Sequence, residues 1–367
     1  MNSSGSILTV DDAPSHQRQV VAHWWAMTVT PSEQRHPRQL YRADGSLNVG
    51  RFRAPLEDVR WRLSGAQALL RTKRWVYFSI TTDAHFVSGA VVDVGYAAHK
   101  FVYVVPTADG SAWSHHGVDM LHALRPAVQI EGSSVEGRAC WRRSDAVVEI
   151  QAVRDGWRLR LDVTLDDRRL HGEVALTRSA DRESVALVHS WPDGPAAYTH
   201  KEAGLDAAVA LRCGEETLGV SGVGVLDWTS GVMPRKTRWR WASAAWRAGD
   251  ERYGLNLSDL IYLDDQGRGR ENALWIGDRV FELPSVRYEV PERPDVDPWW
   301  IRSEGSDAVA LRFTPRGARR EDLNLGVVQS SFCQPYGLFE GHVTTTEGQR
   351  CALQDVFGVV EDHRSLW

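Results

Sequence analysis

The pattern that most restricts this fold is the alternation of apolar and polar residues in Trp157–Leu165, WRLRLDVTL. Successive side chains of a β-strand point to opposite faces, so this segment predicts a strand with one buried face. Turn sequences rich in glycine and proline separate further runs of this kind at short intervals. Many short strands without alternating helices predict an all-β sandwich or barrel and disfavour a Rossmann fold or TIM barrel. The other predicted strands are Trp75–Thr81, Phe101–Val105, Ala146–Val153, Gly172–Thr177, Ser184–Ser190, Val309–Phe313 and Cys351–Val359.

Helical signals are few. Ala66–Arg71 follows Ser64, which can act as an N-cap, and Val118–Leu124 precedes a proline. The proline-rich segment Pro291–Pro298 is expected to form an extended connector. The sequence therefore predicts only short helices.

The length of 367 residues permits two domains. Each half contains a similar number of predicted strands, which favours a polar N-terminal segment (1–50) followed by β domains at 51–205 and 206–367. The first residues lack the apolar core of a signal peptide, and no apolar run reaches 18 residues. We therefore expect a cytoplasmic protein without integral membrane association.

Charge and motif content exclude several functional classes. The chain has 43 basic and 48 acidic residues, and this balance gives no reason to expect a nucleic-acid partner. The four cysteines form no C-x-x-C pair, and His115 and His116 would point to opposite faces of a strand. A phosphate loop and a dinucleotide fingerprint are both absent. The sequence predicts neither a metal nor another cofactor, and it leaves the oligomeric state open.

The segment from Gly224 to Asn272 concentrates the residues best suited to a binding site. Tryptophan buries a large apolar face and still needs a partner for its indole N–H. Grouped around acids and amides, tryptophans can line a pocket for an apolar or flat molecule, and they can also form a core. The residues concerned are Asp227, Trp228, Trp239, Trp241, Trp246, Asn256, Glu271 and Asn272.

Asp227 would continue the apolar face that Val223 and Val225 form on one strand. A carboxylate is costly to bury unless it is paired. Asp227 therefore either bonds the backbone of the following turn, or lines a pocket, or serves as a general acid whose pKa burial raises. Trp239 and Trp241 share one face of a later strand and form either an aromatic wall for a ligand or a barrel core.

Four residues are the catalytic candidates: Asp227, Glu340, His200 and Lys201. Lys201 could act as a base, a Schiff-base amine or an anion holder, although surface exposure is the commoner fate of lysine. Glu340 and His342 share a face and could form an acid–base pair. The substrate-binding candidates are Trp228, Trp239, Trp241, Trp246, Asn256, Glu271, Asn272, Tyr336 and His342.

Eight segments, taken in order from residue 74 to the C-terminus, resemble the DUF2804 family. A more distant resemblance connects the chain to two-domain lipocalin-like proteins, including carotenoid 1,2-hydratases, AttH-type proteins and the Diels–Alderases of polyketide pathways. These resemblances imply an all-β fold of two consecutive lipocalin-like (calycin-type) antiparallel β-barrels or sandwiches with a hydrophobic pocket. The matching segments are Arg74–Phe78, Asp93–Tyr96 with Phe101–Tyr103, Tyr198–Lys201, Asp227–Gly231 with Thr237–Ala242, Gly254–Leu257, Glu271–Leu274, Gln334–Gly337, and Glu361–His363 with Trp367.

The sequence favours an enzyme of the lyase or isomerase type that holds a bulky hydrophobic molecule, such as a terpenoid, polyketide or lipid. Hydration, isomerisation or cyclisation would proceed by acid–base or proximity catalysis. Two alternatives stay open. The same pocket would suit a non-catalytic lipocalin-like carrier. Tryptophan walls with Asp227 and Glu340 would also suit a carbohydrate-active protein.

Overall fold

The structure is a computed structural model that describes residues 37–120, 122, 126–192, 194–324, 326 and 328–367. In these residues the chain forms one seven-residue helix and two curled antiparallel sheets, which together make a two-lobed lipocalin-like arrangement. The predicted all-β fold class is therefore confirmed. Most of the predicted N-terminal segment, residues 1–36, lies outside the described residues. No helix in the described part of the chain is long and apolar enough to cross a membrane.

The first sheet is antiparallel throughout. Its strands are β1 (Gly50–Phe52), β2 (Thr72–Thr81), β3 (His85–Asp93), β4 (Ala98–Pro106), β5 (Trp113–Asp119), β6 (Val128–Ile130), β7 (Arg138–Arg143), β8 (Ala146–Val153), β9 (Gly156–Leu165), β10 (Arg168–Thr177), β11 (Val185–Ser190), β12 (Ala196–Cys213), β13 (Glu216–Thr217) and β14 (Ser221–Val232). The helix α1 (Gly65–Arg71) precedes β2. The main path of the sheet runs β5-β4-β3-β2-β14-β12-β10-β9-β8-β7-β6. In addition, β11 pairs with β12 and with β1, and β13 pairs with β12.

The second sheet follows the first in the chain. Its strands are β15 (Lys236–Ala248), β16 (Glu251–Asp259), β17 (Ala273–Ile276), β18 (Arg279–Glu282), β19 (Val286–Glu289), β20 (Trp299–Ser303), β21 (Val309–Asn324), β22 (Gln329–Thr344) and β23 (Arg350–Leu366). Their order in the sheet is β18-β17-β16-β15-β23-β22-β21-β20-β19. The chain passes from one sheet to the other between Val232 and Lys236. The boundary expected at 205/206 lies within β12.

Burial follows the alternation expected from the sequence where only one face of a strand is covered. In β9, Trp157, Leu159 and Leu161 are buried, whereas Arg158 and Arg160 are exposed. Strands β2, β3, β12 and β14 are instead buried on both faces over most of their length, because the second sheet packs against their outer side. In the described residues the buried apolar side chains form four clusters: one inside each curled sheet, one between the two sheets, and a small one of Leu187, Ala197, Met233, Ile261 and Tyr262.

Local predictions outside the strands had mixed outcomes. Helix α1 begins after Ser64, whose backbone N–H donates to the Gln67 side chain, so the helix predicted at Ala66–Arg71 is confirmed. The helix predicted at Val118–Leu124 is wrong at its start, because Val118 and Asp119 end strand β5, where they pair with β4. Of the remainder, residues 121, 123 and 124 lie outside the described residues. The segment Pro291–Pro298 connects β19 and β20, but through turns rather than an extended chain.

The two sheets approach closely where β12 crosses β16. A Cβ atom at Gly254 would lie 2.3 Å from the backbone of Ala203, so only glycine fits there. Beside this crossing, the fully buried guanidinium of Arg182 donates to the carbonyl of Ala203 in the first sheet at 2.6 Å. It also donates to the carbonyl of Gly277, in the second sheet's β17–β18 turn, at 2.6 Å. Arg182 therefore ties the two sheets together.

The Arg182→Met variant should lose about 2–4 kcal/mol of unfolding free energy, because two buried carbonyl groups and Asp278 lose a charged donor while the apolar stem is kept. Denaturant unfolding measures this change. Arg160→Met removes an exposed arginine and is the control, with an expected change within about 0.5 kcal/mol. Equal stability of the two variants would show that Arg182 does not hold the sheets together.

Candidate functional site

A cavity of about 200 Å³ lies between the facing sides of the two sheets. Aromatic side chains from both sheets form much of its wall. Trp75 stacks on Trp239 with ring centroids 5.8 Å apart, and Tyr77 meets Trp241 edge-on at 5.1 Å. Such walls suit a flat or bulky apolar molecule, because each aromatic face offers a large contact area.

Strand pairing in the first sheet explains why its cavity residues share one face. Directly paired residues of antiparallel strands point to the same side. Lys201 is opposite Asp227, Asp227 is opposite Tyr77, and the row continues through Ala90 to Phe101. The face of the sheet on which Asp227 lies therefore carries a row of cavity residues that crosses five strands.

Pairing in the second sheet produces a corresponding row. Trp241 lies opposite Glu361, and Trp239 lies opposite His363. On the other side of β23, His363 lies opposite Phe332. These five residues all line the cavity.

A buried ionic group occupies the first-sheet wall. The Lys201 ammonium donates to Asp227 at 2.5 Å, lies 3.6 Å from Glu271 and sits over the ring of Trp241. Burial alone would lower the pKa of Lys201, but the two facing carboxyl groups raise it. Lys201 is thus held as an ammonium ion, which suits an anchoring role rather than that of a base or Schiff-base amine.

The two carboxyl groups next to Lys201 differ in their surroundings. Asp227 also accepts hydrogen bonds from the hydroxyl groups of Thr229 at 3.0 Å and Thr199 at 3.3 Å. Burial raises the pKa of Glu271, and the nearby ammonium only partly offsets this effect. Asp227 is therefore the principal partner of Lys201.

Glu361 is the acid best placed for proton transfer. Its carboxyl group is 6% exposed, accepts from the Trp239 indole at 2.6 Å and accepts from the Gln334 amide at 2.8 Å. Gln334 in turn accepts from the Tyr103 hydroxyl at 2.9 Å. Burial raises the pKa of Glu361 to about 7, even though these donors oppose the rise. At neutral pH the group can therefore both give and take a proton.

A second polar group lies around Arg319, whose guanidinium contacts the faces of Phe101 and Phe332 at 4.1 and 4.6 Å. It pairs with Glu321, which also lies 3.0 Å from His99. Burial opposes ionisation of Glu321, but His99 and Arg319 together lower its pKa to about 2. Glu321 is therefore a carboxylate fixed beside a cation.

His363 completes the second-sheet wall. Its ring meets Trp239 edge-on at 4.1 Å, and its Nε2 lies 2.8 Å from the Ser365 hydroxyl. Burial lowers the pKa of His363 to about 3, and the charge of Arg319 adds to this effect. His363 is thus a neutral imidazole at physiological pH.

A family model and known structures provide the external comparison. The model described as "Domain of unknown function (DUF2804)" matches residues 31–367. The chain belongs to the DUF2804 family. No curated protein sequence matches it significantly.

Two solved structures resemble this DUF2804 protein at low sequence identity. An AttH-like protein from Nitrosomonas europaea has 13% identity and a TM-score of 0.44, with 84% of this chain and 99% of that chain covered. Kievitone hydratase from Nectria haematococca has 9% identity and a TM-score of 0.36, with coverages of 85% and 98%.

Five of the candidate residues predicted from the sequence of this DUF2804 protein line the cavity: Lys201, Asp227, Trp239, Trp241 and Glu271. Asn256 lies behind them, where it accepts from the Trp241 indole at 2.8 Å and donates to the Glu271 carbonyl at 3.0 Å. Asn256 therefore fixes the orientation of the Trp241 ring. Asn272 accepts from the Ser258 backbone and donates to the Pro284 carbonyl, which makes it a backbone anchor.

Three further candidates belong to the apolar cores rather than to the cavity. His200 and Trp228 lie on the opposite face from Lys201 and Asp227, inside the first sheet, where Trp228 packs on Tyr198. Trp246 stacks on Tyr253 at 5.2 Å within the second sheet. Alternation along a strand accounts for these positions, because neighbours in sequence face opposite sides.

The remaining C-terminal candidates also lie outside the cavity. Glu340 is exposed and pairs with Arg312, and His342 lies near Asp307 at the surface. They therefore form no acid–base pair at the site. Tyr336 packs on Tyr103 and donates to the Gly110 carbonyl, which makes it part of the contact between the sheets.

Several residues that the sequence analysis did not select also line the cavity, above all Glu361, Arg319, Gln334 and His363. A signal was present for three of them, because Gln334, Glu361 and His363 lie in the segments that resemble the family. The position of Glu361 and His363 opposite the tryptophans depends on the pairing of β23 with β15, a strand that lies far earlier in the sequence. Among the described residues, no group of three or more His, Cys, Asp or Glu is placed to hold a metal ion.

The raised pKa of Glu361 predicts a pH-dependent effect of Glu361→Gln on stability. Above its ordinary value of 4.5 the unfolded state releases the proton, whereas the folded state keeps it until about pH 7. The wild-type protein should therefore lose up to about 3 kcal/mol of unfolding free energy relative to the variant between pH 4.5 and 8.

Denaturant unfolding of both proteins at pH 5 and pH 8 measures this difference. Glu340→Gln changes an exposed carboxyl group on the same sheet and serves as the control. A difference between wild type and Glu361→Gln that stays constant across the range would contradict the raised pKa.

Proposed function

We propose that this DUF2804 protein binds a bulky hydrophobic small molecule, such as a terpenoid, polyketide or lipid, and transforms it by acid–base catalysis. The observation that carries the proposal is the position of Glu361, a buried carboxyl group with a pKa of about 7, in the wall of an aromatic cavity. An acid that is partly protonated near neutral pH is suited to proton donation.

The shape of the site supports a molecule with extended apolar surface. Trp75, Tyr77 and Phe101 face the ligand space from the first sheet, and Trp239, Trp241 and Phe332 face it from the second. Aromatic faces also stabilise a developing positive charge when it is shielded from water. A cavity between two sheets can therefore hold an apolar substrate in one folded pose and protect a cationic intermediate.

Glu361 would donate its proton to a carbon of a polarised double bond, and the two π electrons would form the new C–H bond. In hydration, a water oxygen then bonds to the electron-poor carbon and releases a proton, which returns to the Glu361 carboxylate. In isomerisation or cyclisation, the proton returned comes from carbon instead. Each course regenerates the acid and consumes nothing besides the substrate and, for hydration, one water molecule.

Polar groups across the cavity can support this step. The hydroxyl group of Tyr262 is buried near Thr229 and makes no well-formed hydrogen bond among the described residues. It lines the cavity together with Lys201 and Asp227. A hydroxyl group in this position can orient a water molecule or a carbonyl oxygen of the substrate.

A carrier is the second candidate, because the Lys201–Asp227 pair and the Glu361–Gln334 contact are already satisfied within the protein. Such internal pairing allows an apolar ligand to bind without reaction. A glycosidase pair of Asp227 and Glu340 does not fit the geometry, because Glu340 is exposed and only Asp227 lines the cavity.

Binding at the cavity can be tested with the apolar fluorophore N-phenyl-1-naphthylamine. Its emission should rise on binding, and Trp75→Ala should weaken its affinity about tenfold by removing one aromatic wall. Trp300→Ala removes a tryptophan that is 39% exposed and outside the cavity, so it should bind as the wild type does. Equal loss in both variants, or no binding at all, would count against the proposed pocket.

Catalysis can be tested by incubating the protein in D₂O with an organic-solvent extract of its source organism and following the products by mass spectrometry. A converted compound should gain one deuterium on carbon, and Glu361→Gln should slow the conversion by about 10²–10⁴-fold. Where proton donation limits the rate, wild-type conversion should fall as the pH rises through about 7.

Glu340→Gln is the matched control and should convert the compound at the wild-type rate. A bound compound that the wild type leaves unchanged would favour the carrier. Conversion by Glu361→Gln at the full rate would overturn the assigned role of Glu361.

A further inference from the structure

We propose that Arg319 forms an anion subsite in the cavity, so that the ligand is an amphipathic molecule with an ionised acidic oxygen attached to an apolar body. This inference rests on the proposed function and narrows its substrate class. The acidic oxygen would belong to a carboxylate or to an ionised phenol or enol.

The guanidinium of Arg319 is held in place on three sides. Its carbon atom lies 4.1 Å from the ring centre of Phe101 and 4.6 Å from that of Phe332. One nitrogen, Nη2, contacts both Glu321 and the Nε2 of His99. A fixed guanidinium loses little further freedom when it binds a ligand, and each of its free N–H groups can donate a charge-assisted hydrogen bond to an anionic oxygen.

The rest of the guanidinium is available to the cavity. Among the residues that the structure describes, Nε and Nη1 of Arg319 have no hydrogen-bond partner, and neither belongs to the fully buried unpaired atoms. The side chain is 12% exposed and lines the cavity. Two nitrogen atoms of Arg319, which carry three N–H groups, are therefore unpaired in a side chain that lines the cavity beside two aromatic rings.

The Arg319–Glu321 pair has no net charge, so an anion would be attracted by the unpaired N–H groups of Arg319 rather than by an excess of positive charge. Burial lowers the pKa of His99, and it lowers that of His363 to about 3, so His363 adds no positive charge here. Across the cavity, Lys201 is a cation paired with Asp227. The open N–H groups of Arg319 are thus the strongest free donors near the apolar wall, and they match an oxygen anion.

The position of Arg319 beside Glu361 gives the subsite a functional meaning. Arg319 lies opposite Gln334 in the sheet, and the Gln334 amide donates to Glu361, so Arg319 and Glu361 lie in the same part of the cavity wall. An acidic oxygen bound at Arg319 would place the adjoining carbon atoms of the ligand near the proton donor. Arg319 would then be a specificity residue that determines which carbon atoms of the substrate lie next to Glu361.

A matched pair of fluorophores tests this proposal. The first, 8-anilinonaphthalene-1-sulfonate, carries a sulfonate on the same aromatic frame as the second, N-phenyl-1-naphthylamine. Wild-type protein should bind the sulfonated probe at least fivefold more tightly. The double variant R319M/E321Q keeps the net charge and most of the volume, and it should lose this preference while binding the neutral probe within twofold of the wild type.

Two further variants separate the anion subsite from general effects. Arg320→Met removes the next arginine of the strand, which pairs with Asp295 outside the cavity, and it should keep the preference. Glu321→Gln retains Arg319, releases its occupied nitrogen and should strengthen binding of the sulfonated probe at least threefold. This variant also provides the test if the double variant does not fold.

The outcomes distinguish this proposal from the proposed function. Binding of the neutral probe with no preference for the sulfonate, or a preference that R319M/E321Q retains, would overturn the anion subsite and leave the hydrophobic pocket intact. Failure of both probes to bind the wild type would overturn the pocket itself and the subsite with it.

Discussion

The arrangement of the site depends on the double burial of the central strands in the first sheet. Strands β12 and β14 have one face inside their own curled sheet and the other against the second sheet. In the doubly buried part of these strands, a polar side chain that has no partner is costly. This constraint explains why Lys201, Asp227, Thr199 and Thr229 form one connected set of hydrogen bonds.

Close contact between the sheets also explains the placement of the aromatic residues. At Gly254 of β16 the two sheets approach too closely for a side chain. Gly254 lies opposite Ala245 of β15, and a few residues before Ala245 the gap between the sheets is wide enough for Trp239 and Trp241. The rings of Trp75 and Tyr77 meet these tryptophans from the other sheet. The cavity is thus the region where the sheets diverge and large side chains leave part of the space unfilled.

The sequence predicts the strands well because their signal is local. Alternation locates β8 and β9 almost to the residue, and it places Asp227 on the face of Val223 and Val225, as the structure shows. The same rule places Trp228 on the opposite face, so including it among the ligand contacts conflicted with the pattern. Local reasoning was also sufficient to select Trp239 and Trp241 as a pair.

The rest of the site could not be read locally, because it depends on which strands are neighbours. Glu340 and Glu361 both lie on C-terminal strands, and nothing in either segment tells which of the two side chains meets the first sheet. Pairing decides the matter, since Glu361 lies opposite Trp241, whereas Glu340 lies opposite Arg312 and is exposed. Local patterns in a single sequence do not tell which distant strands pair or which of their residues lie opposite each other.

The electrostatics of the cavity divide its carboxyl groups into two kinds. Asp227 and Glu321 each lie against a cation, Lys201 or Arg319, and these contacts offset the cost of burial. Glu361 has only neutral donors in direct contact, so burial dominates and its pKa rises. A cation placed directly against Glu361 would make the protein more stable at neutral pH, but it would also remove the proton that an acid catalyst needs. The separation of Arg319 from Glu361 by Gln334 and its neighbours therefore preserves a usable acid at a cost in stability, a compromise common at functional sites.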